Sequence, residues 1–224
     1  CSTHPRLTSG DKRLGRLFIG GCTAWLASNG ALFTAGHCVD FDRDSEGPLL
    51  PNRIMDLTRA GEFNVPPSRL DGTLVRAHVN DQYWIDLDSV IWGYEGTHII
   101  DTDGNNVPDK FVVNSRGRDW AIFRVFPNPN TGLTPFQAQG EESFFRLAQI
   151  SPQMNDTIRI TGFGTDNFPA GINGNTRPAF ANESNLTNQT GTGEYFGELS
   201  INNGLQHQYF VDTQEANSGS PIYL

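Results

Sequence analysis

The segment Cys22-Thr23-Ala24-Trp25-Leu26-Ala27-Ser28-Asn29-Gly30-Ala31-Leu32-Phe33-Thr34-Ala35-Gly36-His37-Cys38 consists of two apolar runs broken by one tight turn. Asn-Gly between hydrophobic runs is a strong hairpin signal, because both residues tolerate the positive φ such turns demand. The same texture continues outward. Short runs rich in Val, Ile, Phe, Tyr and Trp alternate with Gly, Pro, Asn and Asp, and helical periodicity is scarce, which marks an all-β chain. Strands are predicted at 17–20, 22–27, 31–34, 74–79, 89–94, 120–125, 157–162 and 209–212. The Pro- and Asn-rich stretch 127–135 cannot run as a central strand, since proline donates no ladder hydrogen bond. Residues 182–193, rich in Asn, Thr and Gly and poor in apolar side chains, read as a mobile surface loop.

A chain of 224 residues can bury a substantial core as one large all-β domain or two packed barrels. The net charge is -9 and the basic residues are scattered singly, which argues against a nucleic-acid partner. No apolar run approaches the roughly 20 residues of a membrane span, and no secretory signal stands at the start, so a mature, processed form is expected.

The chemistry starts from Glu215-Ala216-Asn217-Ser218-Gly219-Ser220-Pro221. A serine hydroxyl is a weak nucleophile at neutral pH. It needs an imidazole to take its proton, and the imidazole needs a carboxylate to fix its tautomer. His37, in Ala35-Gly36-His37-Cys38, is the candidate base. Asp119, in Arg118-Asp119-Trp120-Ala121-Ile122, is the candidate orienting acid, ranked ahead of Asp81, Asp86 and Asp88 because an apolar strand follows it. A carboxylate buried there would need a partner such as the His37 ring N–H. His4, His78, His98 and His207 read as ordinary surface or core histidines. The chain order His37, Asp119, Ser218 is that of the chymotrypsin arrangement, not of subtilisins or α/β-hydrolases.

Through Thr34-Ala35-Gly36-His37-Cys38, Asp119-Trp120-Ala121-Ile122, Thr161-Gly162-Phe163-Gly164 and Asn217-Ser218-Gly219-Ser220-Pro221, the chain resembles the chymotrypsin-like serine peptidases. The Ser-Gly-Ser-Pro ending with Asp212-Thr213 upstream looks like the bacterial glutamyl-endopeptidase branch. The resemblance implies two packed antiparallel six-stranded β-barrels, one over 1–126 with His37 and Asp119, a linker over 127–145, and one over 146–224 with Ser218. It also implies further strands after the nucleophile, where only Pro221-Ile222-Tyr223-Leu224 follow, so an incomplete second barrel and a companion segment are expected. By the same resemblance Cys22 and Cys38 form a disulfide, whose loop contributes about 3 kcal/mol in the chain-entropy model. A disulfide implies an oxidising compartment, hence secretion or periplasmic export from a bacterium. Cys1 is then left over, expected to bridge to the companion segment or to carry a lipid.

The resemblance assigns the oxyanion hole to the backbone N–H groups of Ala216 and Ser218. Ala216 and Glu215 depart from the family pattern, which has glycine at the first of these positions, so an impaired homologue that binds peptides or proteins through the same cleft stands as the alternative to a peptidase. Asn217 replaces the aspartate that receives a freed N-terminal amine in trypsin-like zymogens, so activation by that ion pair is not expected. Asp212 sits where trypsin-like relatives select Arg or Lys, while Thr213 matches a threonine that helps hold an acidic side chain; with Glu215 these are the candidate substrate-binding residues. No cofactor is required. One further constellation, Asp101, Asp103, Asn105 and Asp109 within Asp101-Thr102-Asp103-Gly104-Asn105-Asn106-Val107-Pro108-Asp109, places oxygen ligands at positions 1, 3, 5 and 9. It resembles the calcium loops of thrombospondin type 3 and dockerin repeats, and hard Ca²⁺ accepts such ligands. A plain hairpin turn is the competing reading.

Overall fold

The computed structural model describes residues 6–17, 21–39, 61–93, 97–100, 110–113, 119–165, 183–201, 204–211, 213 and 217–224. They form two antiparallel sheets and a ribbon. The first sheet contains β2 (Leu14–Leu17), β3 (Cys22–Leu26), β4 (Leu32–Thr34), β5 (Gly61–Glu62), β6 (Gln82–Tyr83), β7 (Ile85–Gly93) and β10 (Trp120–Val125), in the order β6-β5-β2-β3-β4-β10-β7. The two ends of that path, β6 and β7, are separated only by Trp84, whose carbonyl accepts from Phe126 N at 2.8 Å. They therefore act as one bent strand, and the sheet closes into a six-stranded barrel.

The opening segment folds as its sequence demands. Ala27 N donates to Ala31 O at 2.9 Å, Asn29 Oδ1 accepts from Ala31 N at 3.0 Å, and Gly30 takes the left-handed φ of +77°. β10 alternates inward Ala121, Phe123 and Val125 with outward Trp120 and Arg124, and its inward residues meet Leu26, Leu32, Phe63, Tyr83 and Ile85 in one core. β2 does not alternate; all four of its residues are buried. It lies at the seam, with one face on the barrel core and Leu14 on the other packed with Phe145 and Phe163.

The second sheet is built around β12 (Gln189–Ile201). β11 (Thr157–Gly162) runs along one edge of β12; β1 (Leu7–Thr8) and then β13 (Gly204–Phe210) share the other. β14 (Ile222–Tyr223) adds to the far side of β11. Although β1 precedes the first barrel in the chain, it belongs to the second sheet, so the N-terminal segment crosses the seam. The ribbon pairs β8 (Thr97–Ile100) with β9 (Lys110–Val113).

Four expectations need correction. Residues 74–79 are not a strand. The carbonyls of Val75 and Ala77 accept from the side chains of Arg16 and Gln82, each at 2.8 Å, so side chains replace a neighbouring strand. Residues 189–193, read as loop, are the first half of β12, and its apparent loop composition hides polar side chains satisfied inside the fold: Gln189, 2 % exposed, donates to Ser184 O at 2.5 Å. The strands expected at 17–20 and 209–212 begin earlier, β2 at Leu14 and β13 at Gly204, while residues 18–20 and 212 lie outside the described residues. Within 127–145 a turn at 129–131 is organised by buried Asn128, and Thr134 caps a helical turn, Pro135–Gln139.

Candidate active site

His37 stands in a 3-10 turn, Gly36–Cys38, that leaves the end of β4. The turn can sit there because residue 36 is glycine: a Cβ would overlap Gly93 O and lie 3.1 Å from Trp120 N. That close approach brings the turn against the start of β10, where Asp119 stands. On the other side of His37 the Cys22–Cys38 disulfide, with Cα atoms 6.1 Å apart, ties the turn to the start of β3. The sulfurs lie close to the His37 ring, but thiols consumed in a disulfide cannot ligate a metal as thiolates.

Asp119 holds His37 at two points. Oδ2 pairs with ring Nδ1 at 2.8 Å, and Oδ1 accepts from the His37 backbone N–H at 2.9 Å. Backbone and ring are thus fixed by one carboxylate, which leaves Nε2 as the nitrogen turned away from it. Desolvation pushes the Asp119 carboxyl up, but the bonds from the His37 ring and N–H, the imidazole charge and the Gly36 N–H together outweigh it and hold the carboxyl below its ordinary value. The pair is half-open: the side chains of His37 and Asp119 are 35 % and 30 % exposed. The competing acids are engaged elsewhere or stand apart; Asp81 accepts from Asn64 Nδ2 at 2.7 Å, and Asp86 lies on β7 opposite Arg124.

Ser218 opens a turn that is docked onto the same strands. Its carbonyl accepts from Thr23 N at 2.8 Å, and Ser220 N closes the turn on Asn217 O at 3.0 Å. Gly219 adopts φ +82°, and a Cβ there would overlap Thr34 Oγ1 and Thr23 O and lie 2.8 Å from Ala35 N. Ala35 is two residues from His37. The Ser218 turn is therefore seated on the strand end that leads into His37, while His37 and Asp119 are in direct contact.

The seat itself was not legible in the sequence. Thr23, fully buried, donates its N–H to Ser218 O, accepts from Phe163 N on Oγ1 at 3.0 Å, and accepts from Thr34 Oγ1 on its carbonyl at 2.7 Å. It thus joins β3, β4, the end of β11 and the Ser218 turn, yet a threonine inside an apolar strand carries no signal of such a role. Of the other residues read from the sequence, Thr213 is exposed. Asp212, Glu215, Ala216, Cys1, and the calcium candidates Asp101, Asp103, Asn105 and Asp109 lie outside the described residues; the last four fall in the 101–109 connection between β8 and β9. His78 accepts from Asn80 N at 3.2 Å to cap a turn, and His207 Nδ1 pairs with Tyr195 OH at 2.8 Å.

Among solved structures, the chain is similar to a thermostable serine protease from an extremophilic microorganism, at 13% identity, over 96% of this chain and 79% of that one, with a TM-score of 0.54. It is similar over 99% of its length, and 79% of the other, to human heparin binding protein, at 12% identity and a TM-score of 0.51. The fold is that of the chymotrypsin-like serine proteases. A Glu endopeptidase also matches, at 15% identity over 98% of this chain and 78% of that one, with a TM-score of 0.47. No protein-family model matches the sequence, and no curated protein matches it. At these identities the chymotrypsin-like architecture is what is shared, and it is common to a serine protease and to a heparin binding protein. What this chain does with the fold depends on its own residues.

Proposed function

We propose that the chain is an exported serine endopeptidase that hydrolyses peptide bonds through Ser218, His37 and Asp119. The observation that carries this reading is the two-point hold of Asp119 on His37 beside a nucleophile turn seated on Thr23 and Ala35. In the proposed cycle His37 Nε2 takes the Ser218 proton as Oγ attacks the scissile carbonyl. Asp119 stays ionised and stabilises the imidazolium. The tetrahedral oxyanion is met by the backbone N–H groups of Ser218 and Ala216. Collapse breaks the C–N bond, and the amine leaves with the proton returned by His37. Water, deprotonated by the same imidazole, then releases the acyl group and restores Ser218.

The disulfide supports an extracellular or periplasmic setting. Peptides or proteins are the proposed substrates, with Asp212 favouring a basic and Thr213 an acidic residue before the cut bond; paired Glu and Arg substrates, repeated on Asp212→Ala, separate the two. Calcium in the 101–109 connection remains a proposal of its own, and a chelator that leaves the melting temperature unchanged removes it. An impaired, peptide-binding homologue is the second reading, favoured by Ala216 in place of glycine. A fluorophosphonate probe decides between them. The endopeptidase gives one covalent adduct on Ser218, absent in Ser218→Ala and strongly slowed in His37→Ala; an unmodified wild-type chain overturns the reading in favour of the homologue.

A further inference from the structure

Arg6 is an unusual residue to find buried: a charged side chain only 7 % exposed, supplied by the segment that enters β1. Burying a guanidinium is costly unless its donors are met and its position is fixed. Here the position is fixed from both ends. The backbone after Arg6 is held in the second sheet by Leu7 opposite Thr190 and Thr8 opposite Gln189, and by Ser9 N on Asn188 O at 2.8 Å. At the other end Arg6 Nη2 donates to Thr165 O at 3.1 Å.

The guanidinium ends against Gly164, the last residue of Thr161-Gly162-Phe163-Gly164. A Cβ on Gly164 would overlap Arg6 Nη1 and lie 2.7 Å from Asn217 Nδ2, so Arg6 and Asn217 converge on one point of backbone. Asn217 also lies along Gly162, where a Cβ would sit 3.0 Å from its Oδ1. Its side chain is thus laid across the 162–164 backbone, with Arg6 packed at the end of it. Asn217 is the residue immediately before Ser218, and its carbonyl closes the Ser218 turn through Ser220 N.

We propose that Arg6 is a positioning residue for the nucleophile: its buried guanidinium is a strut that holds Asn217 against the 162–164 backbone and so sets the Ser218 turn. The proposal rests on the endopeptidase reading for its catalytic consequence, but not for the strut itself. A turn displaced by about 1 Å loses about 10²-fold in reactivity, so the strut controls rate without touching substrate.

The test is Arg6→Ala and Arg6→Lys, read by amide hydrogen exchange of the 217–220 peptide and by the fluorophosphonate labelling rate per folded molecule. Arg6→Ala is expected to raise exchange at 217–220 and to slow labelling by about 10²-fold, and added methylguanidinium, which fits the vacated site, restores both. Arg6→Lys, which keeps the charge but not the planar fork, falls between. Should Arg6→Ala fail to fold, Arg6→Lys carries the comparison. Wild-type exchange at 217–220 in the folded variant overturns the strut, as does a loss that methylguanidinium leaves unrestored. An unlabelled wild-type chain whose 217–220 exchange still rises in Arg6→Ala leaves the strut standing and removes the peptidase reading alone.

Discussion

A single carboxylate that grips both the ring and the backbone of His37 makes strong demands on residue 119. Asparagine there could still donate or accept one bond, but it would favour the wrong imidazole tautomer, so Asp119→Asn is expected to lower kcat by about 10⁴-fold with little change in KM, measured on a peptide substrate. The carboxyl also links stability to acid. Because its folded-state value is depressed, its contribution is complete above the ordinary aspartate value of 3.8 and is lost as pH falls through that value and below. Melting temperatures followed from neutral pH downward should therefore drop more steeply in the wild type than in Asp119→Asn. Tyr83 behaves oppositely at the alkaline end. Burial, with Asp81 nearby, pushes its phenol up to about 12, and its hydroxyl has no partner among the described residues. The unfolded chain ionises first, so stability falls as pH rises from about 10 toward 12; Tyr83→Phe should be neutral or stabilising at pH 7 and should flatten that fall. The contact of Asp119 with His37, in preference to Asp81, Asp86 and Asp88, was legible in the sequence because the apolar strand after Asp119 made a buried carboxylate plausible there. Its half-open environment was not, since exposure depends on what the rest of the chain leaves uncovered.

Elements in this molecule are set as much by backbone contact as by pattern. The Gly219 turn and the Gly36 turn both press onto neighbouring backbone where no Cβ fits, and Gly219 has a positive φ as well. Gly219→Ala should cost at least about 1–3 kcal/mol in denaturant unfolding and should abolish probe labelling of Ser218 even where the fold survives. The Cys22–Cys38 bridge spans a separation of 16 residues, and replacing both cysteines with alanine should lower stability by about 3 kcal/mol, measured in urea. The strands at Trp120–Val125 and Thr157–Gly162 matched their sequence signal residue for residue. Residues 74–79 had the same β-rich composition but no partner strand among the described residues. In β12 the reverse held: Gln189-Thr190-Gly191-Thr192-Gly193 carries no apolar alternation, yet β11 and β1 on its two edges make it a central strand. Strand pairing is a property of two segments, and a one-dimensional pattern reports only one.

Across the whole molecule the seam between the sheets holds the site. Arg16, 1 % exposed, pairs with fully buried Glu62 through Nη2 at 2.6 Å and also donates to Leu186 O and Val75 O, each at 2.8 Å, while Arg76 meets Glu62 from the outside. Desolvation lowers the Arg16 pKa, which says that the cation is held at a cost and depends on its partner. Removing only the anion should be severe: Glu62→Ala is expected to destabilise by about 3–5 kcal/mol, and thermal unfolding of the variant checks it. Arg13, pinned by Asp11 at 2.6 Å, lies 3.7 Å from the Phe145 ring centroid, and Phe145 meets Trp25 and Tyr223, so aromatic packing closes the same seam where it meets β14. The sequence by itself determined the all-β class, the hairpin at Asn29-Gly30, the disulfide pairing by resemblance, and the candidate residues His37, Asp119 and Ser218, because turn chemistry, strand composition and motif residues are local. Only the tertiary structure decided that Thr23 seats the Ser218 turn, that Arg16 is buried at the seam and Arg6 against the 164–165 backbone, and that β1 crosses to the second sheet. Burial and register arise from segments far apart in the chain meeting at one interface, and no window of sequence contains both sides of it.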